Sequence, residues 1–167
     1  MKTNLILIGM PSAGKSTIGA ILAEELGYDF LDVDALIAER QGASLQEIIR
    51  KQGIGAFLAI EEEVGAAIQV EKTVLAPGGS MVFSEAAMEN LRQNGLCVYL
   101  KVPLATLEER LLLTRETRGL AASADTSVAD IFETRRPLYE KYADHTVDCD
   151  GKGIEEVVKA VREAADL

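Results

Sequence analysis

An octet near the N-terminus constrains this chain more than any other stretch. Residues 9–16 read GMPSAGKS and fit G-x-x-x-x-G-K-[ST], the pattern of a phosphate-binding loop. Gly9 and Gly14 let the backbone turn sharply, with N–H groups aimed at a phosphate and no Cβ in the way. Lys15 brings a charge that reaches the outer phosphates, and the Ser16 hydroxyl can join the shell of a Mg²⁺ ion. The octet therefore predicts a site for a nucleoside triphosphate.

The segments on either side give the octet the context that this motif needs. The apolar run Asn4–Ile8 predicts a buried strand, and Lys15–Leu26 predicts a helix whose positive N-terminal end faces the same anion. A chance match in a glycine-rich turn is the alternative, and this strand–loop–helix context disfavours it. The residues that we predict to bind the nucleotide through the loop are Gly9, Ser12, Ala13, Gly14, Lys15, Ser16 and Thr17.

The rest of the chain alternates apolar strands with helices. Further strands are predicted at 28–33, 73–76, 96–102 and 146–149, with helical segments between them. This alternation predicts an α/β fold: three αβα layers around a parallel five-stranded sheet, in the P-loop NTP hydrolase class with a lid. At 167 residues the chain is expected to form one domain, 1–167.

The charge and the cysteines restrict the expected partners and compartment. The chain has 27 acidic and 17 basic side chains and a net charge of −10, which predicts no binding to nucleic acid or to an anionic membrane. Cys97 and Cys149 lack metal-ligand spacing and fit a reducing cytoplasmic compartment. No stretch has the composition of a signal peptide or the length of a membrane span. We therefore expect a cytoplasmic monomer.

Three chemically suggestive segments each lie at the carboxyl end of a predicted strand. They are the phosphate loop, the run 32–34 and the run 77–80, and the carboxyl ends of parallel strands share one edge of the sheet. Asp32 and Asp34 lie two apart on a segment predicted to be extended, so their side chains should point the same way. One carboxylate can hold Mg²⁺ while the other orients or deprotonates an acceptor hydroxyl. A solvated turn or a helix cap is the alternative.

Other candidates are more ambiguous when taken from the residues alone. Gly78 and Gly79 either bring backbone N–H groups close to a ligand or form a simple strand-to-helix turn. The segment 115–126 lacks an apolar period and predicts a mobile lid, in which Arg118 either closes over the phosphates or is merely solvated. Arg135 is a basic residue in an acidic chain and is a candidate to bind an anionic acceptor.

Taken together, these motifs resemble the shikimate kinase family, within the P-loop kinases that are similar to nucleoside monophosphate kinases. The resemblance covers nearly the whole chain in order. It depends on the octet 9–16, FLDVD at 30–34, the spacing of Gly53, Phe57 and Glu61, the Gly78–Gly79 pair, the lid and RRPLY at 135–139. It implies a Mg²⁺- and ATP-dependent kinase that transfers the γ-phosphate to the 3-hydroxyl of shikimate, a step of aromatic amino acid biosynthesis.

The resemblance also implies a role for individual residues. The catalytic residues would be Lys15, Asp34 and Arg118. The metal ligands would be Ser16 and Asp32, and Arg110 would lie against adenine. The acceptor would be bound within a region at about 34–70 and by Asp34, Gly78, Gly79 and Arg135.

Several positions depart from the pattern of the family. The family's Gly-Glu-x-x-Phe-Arg-x-x-Glu is GIGAFLAIE at 53–61, so Leu58 stands where an arginine grips the shikimate carboxylate. Ser80 replaces the third glycine of Gly-Gly-Gly, Pro77 precedes them in place of threonine, and Gly119 replaces the lid proline. A charge-assisted hydrogen bond contributes about 1.5–3 kcal/mol, so its loss predicts roughly tenfold to hundredfold weaker shikimate binding unless Arg135 or Arg136 compensates.

These departures leave two alternatives open. The first keeps the kinase machinery with another small hydroxylated acceptor, such as homoserine or a sugar acid. The second is a nucleotide-binding regulatory protein without kinase activity, in which Asp34, the lid arginines and Arg135 would have no purpose.

Overall fold

The structure is a computed structural model and describes residues 2–114 and 127–167. Among these residues, five parallel strands form one sheet with the order β2-β3-β1-β4-β5. The strands are β1 Asn4–Ile8, β2 Asp29–Asp32, β3 Thr73–Ala76, β4 Gly95–Lys101 and β5 His145–Asp148. The predicted parallel five-stranded sheet is confirmed. The proposed lid 115–126, with Arg118, lies outside the described residues.

Helices cover the sheet in αβα layers, with α1 packed on α8 and α4 packed on α5. The helices are α1 Lys15–Leu26, α2 Val33–Gln41, α3 Leu45–Gln52, α4 Ile54–Ala67, α5 Glu85–Gln93, α6 Leu104–Thr114, α7 Val128–Tyr142 and α8 Ile154–Ala164. A short 3₁₀ turn, Met81–Phe83, precedes α5. In the part of the chain that is described, no helix is long and apolar enough to cross a membrane.

The centre of the core is β1, which pairs with β3 on one side and β4 on the other. All five of its residues are buried, as the uninterrupted apolar run requires of a central parallel strand. Full burial of a leucine or isoleucine side chain contributes about 1.5–3 kcal/mol, so this strand is firmly anchored in the sheet. The phosphate loop begins directly after β1 and therefore starts from a fixed base.

The predicted geometry of the second strand needs a correction. Strand β2 ends at Asp32, and helix α2 begins at Val33, so Asp34 lies in the first turn of a helix and not on an extended segment. The reason is local: the Asp32 carboxylate accepts a hydrogen bond from the Ala35 N–H and caps the helix. Helix α7 continues through Pro137 without a break.

Candidate active site

The phosphate loop joins β1 to α1 through residues with positive φ. These are Gly9 at 153°, Ser12 at 69° and Gly14 at 96°. A Cβ on Gly9 would lie 2.9 Å from the Leu100 carbonyl oxygen, so only glycine fits this approach to β4. The Lys15 ammonium folds back over the loop and donates to the carbonyl oxygens of Gly9 at 2.6 Å and Met10 at 2.9 Å. The loop is therefore a closed cradle with a cation across it.

The donor set of this cradle fits a triphosphate. The Ser12 hydroxyl is buried and has no hydrogen-bond partner among the described residues. A buried hydroxyl without a partner is costly, so its place in the cradle suits a bound polar group. The Arg110 guanidinium, on α6, donates to the Ser12 carbonyl oxygen of the loop at 2.9 Å.

Ser16 and Asp32 meet across the cradle. The Ser16 hydroxyl donates to Asp32 Oδ2 at 3.0 Å, while Asp32 Oδ1 caps α2. The two interpretations of Asp32 from the sequence, a site residue and a helix cap, thus coexist in one carboxylate. The described residues hold no cluster of three or more histidine, cysteine or acidic side chains suited to a metal ion. A hard cation here would take the remainder of its shell from phosphates and water, which is how Mg²⁺ is usually bound.

One cavity of about 300 Å³ lies beyond the carboxyl ends of β1, β2 and β3. It brings together nine of the residues predicted from the sequence: Ser12, Gly14, Lys15, Ser16, Thr17, Asp32, Asp34, Gly79 and Arg135. Gly9 and Ala13 belong to the backbone of the loop, and Gly78 lies directly behind the cavity wall. Asp32 and Asp34 therefore share one cavity, although the extended geometry predicted for them was wrong.

The cavity also has walls that the sequence did not reveal. Ser44, Leu45 and Gln46 close it from the start of α3, and Phe57 closes it from α4. Ser44 caps α3, and its hydroxyl accepts a hydrogen bond from the Glu47 N–H at 3.1 Å. A capping pattern gives no information about which cavity the cap borders.

Arg135 is a buried positive charge in the cavity wall and lies close to the phosphate loop, across Gly79. Arg135 lies on α7 and is only 2% exposed. Its guanidinium carbon lies 5.5 Å from the centre of the Phe83 ring. A Cβ on Gly79 would lie 3.0 Å from Arg135 Nη1 and 3.0 Å from Pro11 Cδ. The Tyr139 hydroxyl also donates to the Gly79 carbonyl oxygen at 2.7 Å. Gly79 is thus held between the arginine and the phosphate loop.

Two carboxylates converge on Gly78. A Cβ there would overlap the Asp34 carboxylate and lie 2.9 Å from Glu61 Oε2. Glu61 is buried in α4, and burial, together with the nearby Asp34 charge, raises its pKa to about 7. The Ser80 hydroxyl donates to both of its carboxylate oxygens.

Leu58 packs on the core, whereas Arg135 lines the cavity. The Leu58 side chain is half-buried and packs against the hydrophobic core, and it is not among the described residues that line the cavity. Among the cavity's described walls, the positive charges are those of Lys15 and Arg135. Arg135 is therefore the positive charge in these described walls that does not belong to the phosphate loop.

Comparisons with known proteins agree with this arrangement. A family model, "Shikimate kinase", matches residues 11–166. A shikimate kinase of Chlorobium chlorochromatii is 38% identical over 165 residues, which cover 93% of this chain and 86% of that protein. A solved shikimate kinase of Acinetobacter baumannii, in complex with shikimate, aligns with a TM-score of 0.87 and 29% identity over 99% of this chain and 94% of that one.

A second kind of relative is much longer. Threonine synthase-like 1 of Pongo abelii is 37% identical over 163 residues, which cover 96% of this chain. The same residues are only 22% of that protein. This chain thus corresponds to nearly all of the shikimate kinase from Chlorobium and to about a fifth of the longer relative.

Proposed function

The chain belongs to the shikimate kinase family, and so to the ATP-dependent phosphotransferases that act on an alcohol, and we propose that its acceptor is the 3-hydroxyl of shikimate. One observation carries the proposal: the phosphate loop, Asp34 and the buried Arg135 line one cavity. We take the part beside the loop as its nucleotide end and the part beside Asp34 and Arg135 as its acceptor end, so that a phosphoryl donor and an anionic alcohol lie next to each other. Phosphoryl transfer depends mainly on such positioning and on charge neutralisation.

We assign the nucleotide end to the phosphate loop. The loop N–H groups and the Ser12 hydroxyl would bind the phosphates, and Lys15 would exchange its two carbonyl contacts for the outer phosphate oxygens. Ser16 and Asp32 would hold Mg²⁺, which neutralises charge on the transferring group. Arg110, which already contacts the loop, would lie against adenine.

We assign the acceptor end to Asp34 and Arg135. Asp34 would accept a hydrogen bond from the reacting hydroxyl and take its proton as the phosphoryl group arrives. The Arg135 guanidinium would pair with the carboxylate of shikimate, with Gly78 and Gly79 allowing the close approach. Arg118, in the proposed lid, would add positive charge over the transferring phosphoryl.

The position of Leu58 supports a second candidate acceptor. Because Leu58 packs on the core, Arg135 would hold a carboxylate without help from that position. A smaller hydroxylated acid, such as homoserine or a sugar acid, would also fit this single counter-charge. The non-catalytic alternative, a nucleotide-binding regulatory protein, gives no reason to bury Arg135 and to place Asp34 in the same cavity.

We also propose that the protein acts as a cytoplasmic monomer. Both cysteines are buried as free thiols, and burial raises the pKa of Cys97 to about 12 and that of Cys149 to about 11. Thiols that stay protonated are unreactive and fit a reducing compartment. Light scattering of the purified chain would test the monomer.

The deciding experiment is a coupled assay of ADP release from Mg·ATP. Shikimate, homoserine and a sugar acid are compared with a reaction that lacks any acceptor. Strong stimulation by shikimate is the expected result. Stimulation by another acceptor alone would overturn shikimate as substrate and keep the kinase, whereas no stimulation by any of them would favour the non-catalytic protein.

A further inference from the structure

Ser80 and Glu61 form a buried pair in the wall of the acceptor end. Ser80 comes directly after Gly79, is 4% exposed and lines the cavity, while Glu61 lies behind it on α4 and is 2% exposed. The Ser80 hydroxyl donates to Glu61 Oε1 at 2.7 Å and to Oε2 at 2.9 Å. These two residues are nineteen positions apart in the sequence and meet only in the fold.

The pair fixes the direction of the Ser80 hydroxyl. A serine hydroxyl has one hydrogen and two lone pairs, and it normally rotates to suit its neighbours. An ionised carboxylate only accepts, so the hydrogen of Ser80 is directed at Glu61. The lone pairs of Ser80 are then what the hydroxyl can offer to a molecule in the cavity. Glu61 thus turns a versatile hydroxyl into a hydrogen-bond acceptor.

The neighbouring groups complete a pattern of donors and acceptors. The Asp34 carboxylate lies against Gly78 together with that of Glu61, and Asp34 is also an acceptor when ionised. Arg135, which lines the same cavity beside Gly79, supplies donors only. A ligand that matches this wall has one anionic group and at least two donating groups. Shikimate has that chemistry, with a carboxylate and two hydroxyls besides the reacting one.

We propose that Ser80, oriented by Glu61, is a specificity-determining residue that accepts a hydrogen bond from a second, non-reacting hydroxyl of the acceptor. The inference rests on the proposed function, because it concerns the same acceptor site. Glu61 is a positioning residue here, since it acts through Ser80. Acceptors with a single hydroxyl would leave the Ser80 lone pairs without a donor and bind more weakly.

The electrostatics of Glu61 add a pH dependence to this role. Burial raises its pKa to about 7, Asp34 acts in the same direction, and Ser80, Arg135 and Lys15 oppose the shift. Below that pH a protonated Glu61 can donate to Ser80, which then turns its own hydrogen into the cavity. A substrate hydroxyl that donates to Ser80 at high pH would then face a second donor, and this hydrogen bond would be lost. The KM for the acceptor should therefore rise as the pH falls from 8 to 6.

The test combines a substitution of Ser80 with the removal of single hydroxyl groups from the ligand. Wild type and Ser80→Ala are assayed with shikimate and with two deoxy analogues, each lacking one of the non-reacting hydroxyls. Ser80→Ala should raise the KM for shikimate by about three- to tenfold and leave the KM for ATP within about twofold. With the analogue that lacks the contacted hydroxyl, wild type and Ser80→Ala should have the same KM.

Two more variants make the result specific. Glu61→Gln keeps an oxygen for the Ser80 hydroxyl but does not titrate, so its KM for shikimate should not change between pH 6 and 8. This measurement also remains available if Ser80→Ala does not fold. Ser84→Ala is the matched control, because the Ser84 hydroxyl also donates to a glutamate, Glu62 at 2.6 Å, outside the cavity. Its KM for shikimate should equal that of wild type.

The outcomes separate the two proposals. If shikimate does not stimulate wild type, the proposed acceptor is wrong and the subsite proposal fails with it. If shikimate stimulates wild type but the KM is unchanged in Ser80→Ala, the subsite alone is overturned. If Ser80→Ala weakens shikimate and both deoxy analogues equally, the residue acts through the fold rather than by contact, and the subsite is again overturned.

Discussion

The Ser16 hydroxyl donates a 3.0 Å hydrogen bond to Asp32 Oδ2 and so joins the start of α1 to the end of β2. Ser16 follows β1 in the chain and Asp32 ends β2, and the Ser16 Oγ and Asp32 Oδ2 atoms meet beside the phosphate loop. Asp32 is held in place because its other oxygen caps α2. A serine oxygen and a fixed carboxylate are ligands that Mg²⁺ prefers.

Asp32→Asn should weaken the response to the metal. The amide keeps a cap acceptor for the Ala35 N–H but removes the negative charge that would face Mg²⁺. We expect the Mg²⁺ concentration for half-maximal ADP release to rise by about tenfold, the equivalent of about 1.4 kcal/mol. A titration with Mg²⁺ at saturating ATP measures this, and an unchanged midpoint would remove Asp32 from the metal site.

Asp34→Asn should abolish transfer and leave nucleotide binding nearly intact. A positioned general base contributes about 10²–10⁴-fold, and kcat should fall by that factor. Asp29→Asn is the control, since Asp29 is exposed at the opposite end of β2. Acceptor-stimulated ADP release and the Kd for ATP are the measurements. Loss of ATP binding in Asp34→Asn would count against the role assigned to this carboxylate.

Gly79→Ala should damage the acceptor end of the cavity. The new methyl group would lie 3.0 Å from both Arg135 Nη1 and Pro11 Cδ, which is tighter than ordinary contact. We expect the KM for the acceptor to rise by about tenfold, because Arg135 must move to relieve the contact. Steady-state kinetics with both substrates would show it.

Gly55→Ala is a matched control for that substitution. Gly55 lies in the first turn of α4, and a Cβ there would meet nothing within 4 Å. Alanine in a helix is favoured over glycine by about 0.5–1 kcal/mol, so the control should be slightly more stable with unchanged kinetics. Equal kinetic effects of the two substitutions would argue against a steric role for Gly79.

The sequence predicted best the parts of the molecule that are decided locally. The bounds of β1, α1 and β3 match the prediction, because each is an apolar or amphipathic run that ends at a glycine or a proline. The geometry predicted for Asp34 was wrong because the cap at Asp32 starts α2 at Val33, inside the predicted strand 28–33.

The features that the sequence missed depend on contacts between distant segments. Ser44 and Gln46 reach the cavity because the packing of α3 on α2 and α4 brings the start of α3 to its wall. The Ser80–Glu61 pair likewise joins the end of β3 to α4. The strand order also depends on long-range pairing, and no local pattern determines it. The predicted role of Arg118 remains a prediction, since the residue lies outside the described part of the chain.

The pKa of Glu61 should also be visible in the stability of the protein. The folded state raises that pKa from 4.5 to about 7, chiefly through burial, so it binds the proton more tightly than the unfolded chain does. The resulting stabilisation is complete below about pH 4.5 and is lost as the pH rises through about 7. At one pKa unit per 1.36 kcal/mol, the loss is up to about 3 kcal/mol.

Glu61→Gln should remove this dependence. Between pH 4.5 and pH 8 the unfolding free energy of the wild type should fall relative to that of Glu61→Gln, because glutamine does not titrate. Glu63→Gln, on the exposed side of the same helix, should behave like the wild type at every pH. Urea denaturation at several pH values measures all three proteins. A constant difference between Glu61→Gln and wild type would show that Glu61 does not titrate in this range.

Arg135 and Arg136 are adjacent candidates for the acceptor carboxylate, and the structure distinguishes them. Arg135 is buried in the cavity wall, whereas Arg136 is half-buried and pairs with Glu133 at 3.3 Å and Glu140 at 3.6 Å on its own helix. Arg136 is not among the described residues that line the cavity, so we assign the acceptor carboxylate to Arg135.

Arg135→Lys should therefore raise the KM for shikimate while Arg136→Lys leaves it unchanged. Lysine keeps the charge of Arg135 but loses the planar fork that binds a carboxylate through two parallel hydrogen bonds. The loss of one charge-assisted hydrogen bond corresponds to about tenfold to hundredfold in KM. Because the charge beside Glu61 is retained, folding and the KM for ATP should change little. Equal KM values for shikimate in the two lysine variants would mean that another group, outside the described wall, holds the carboxylate.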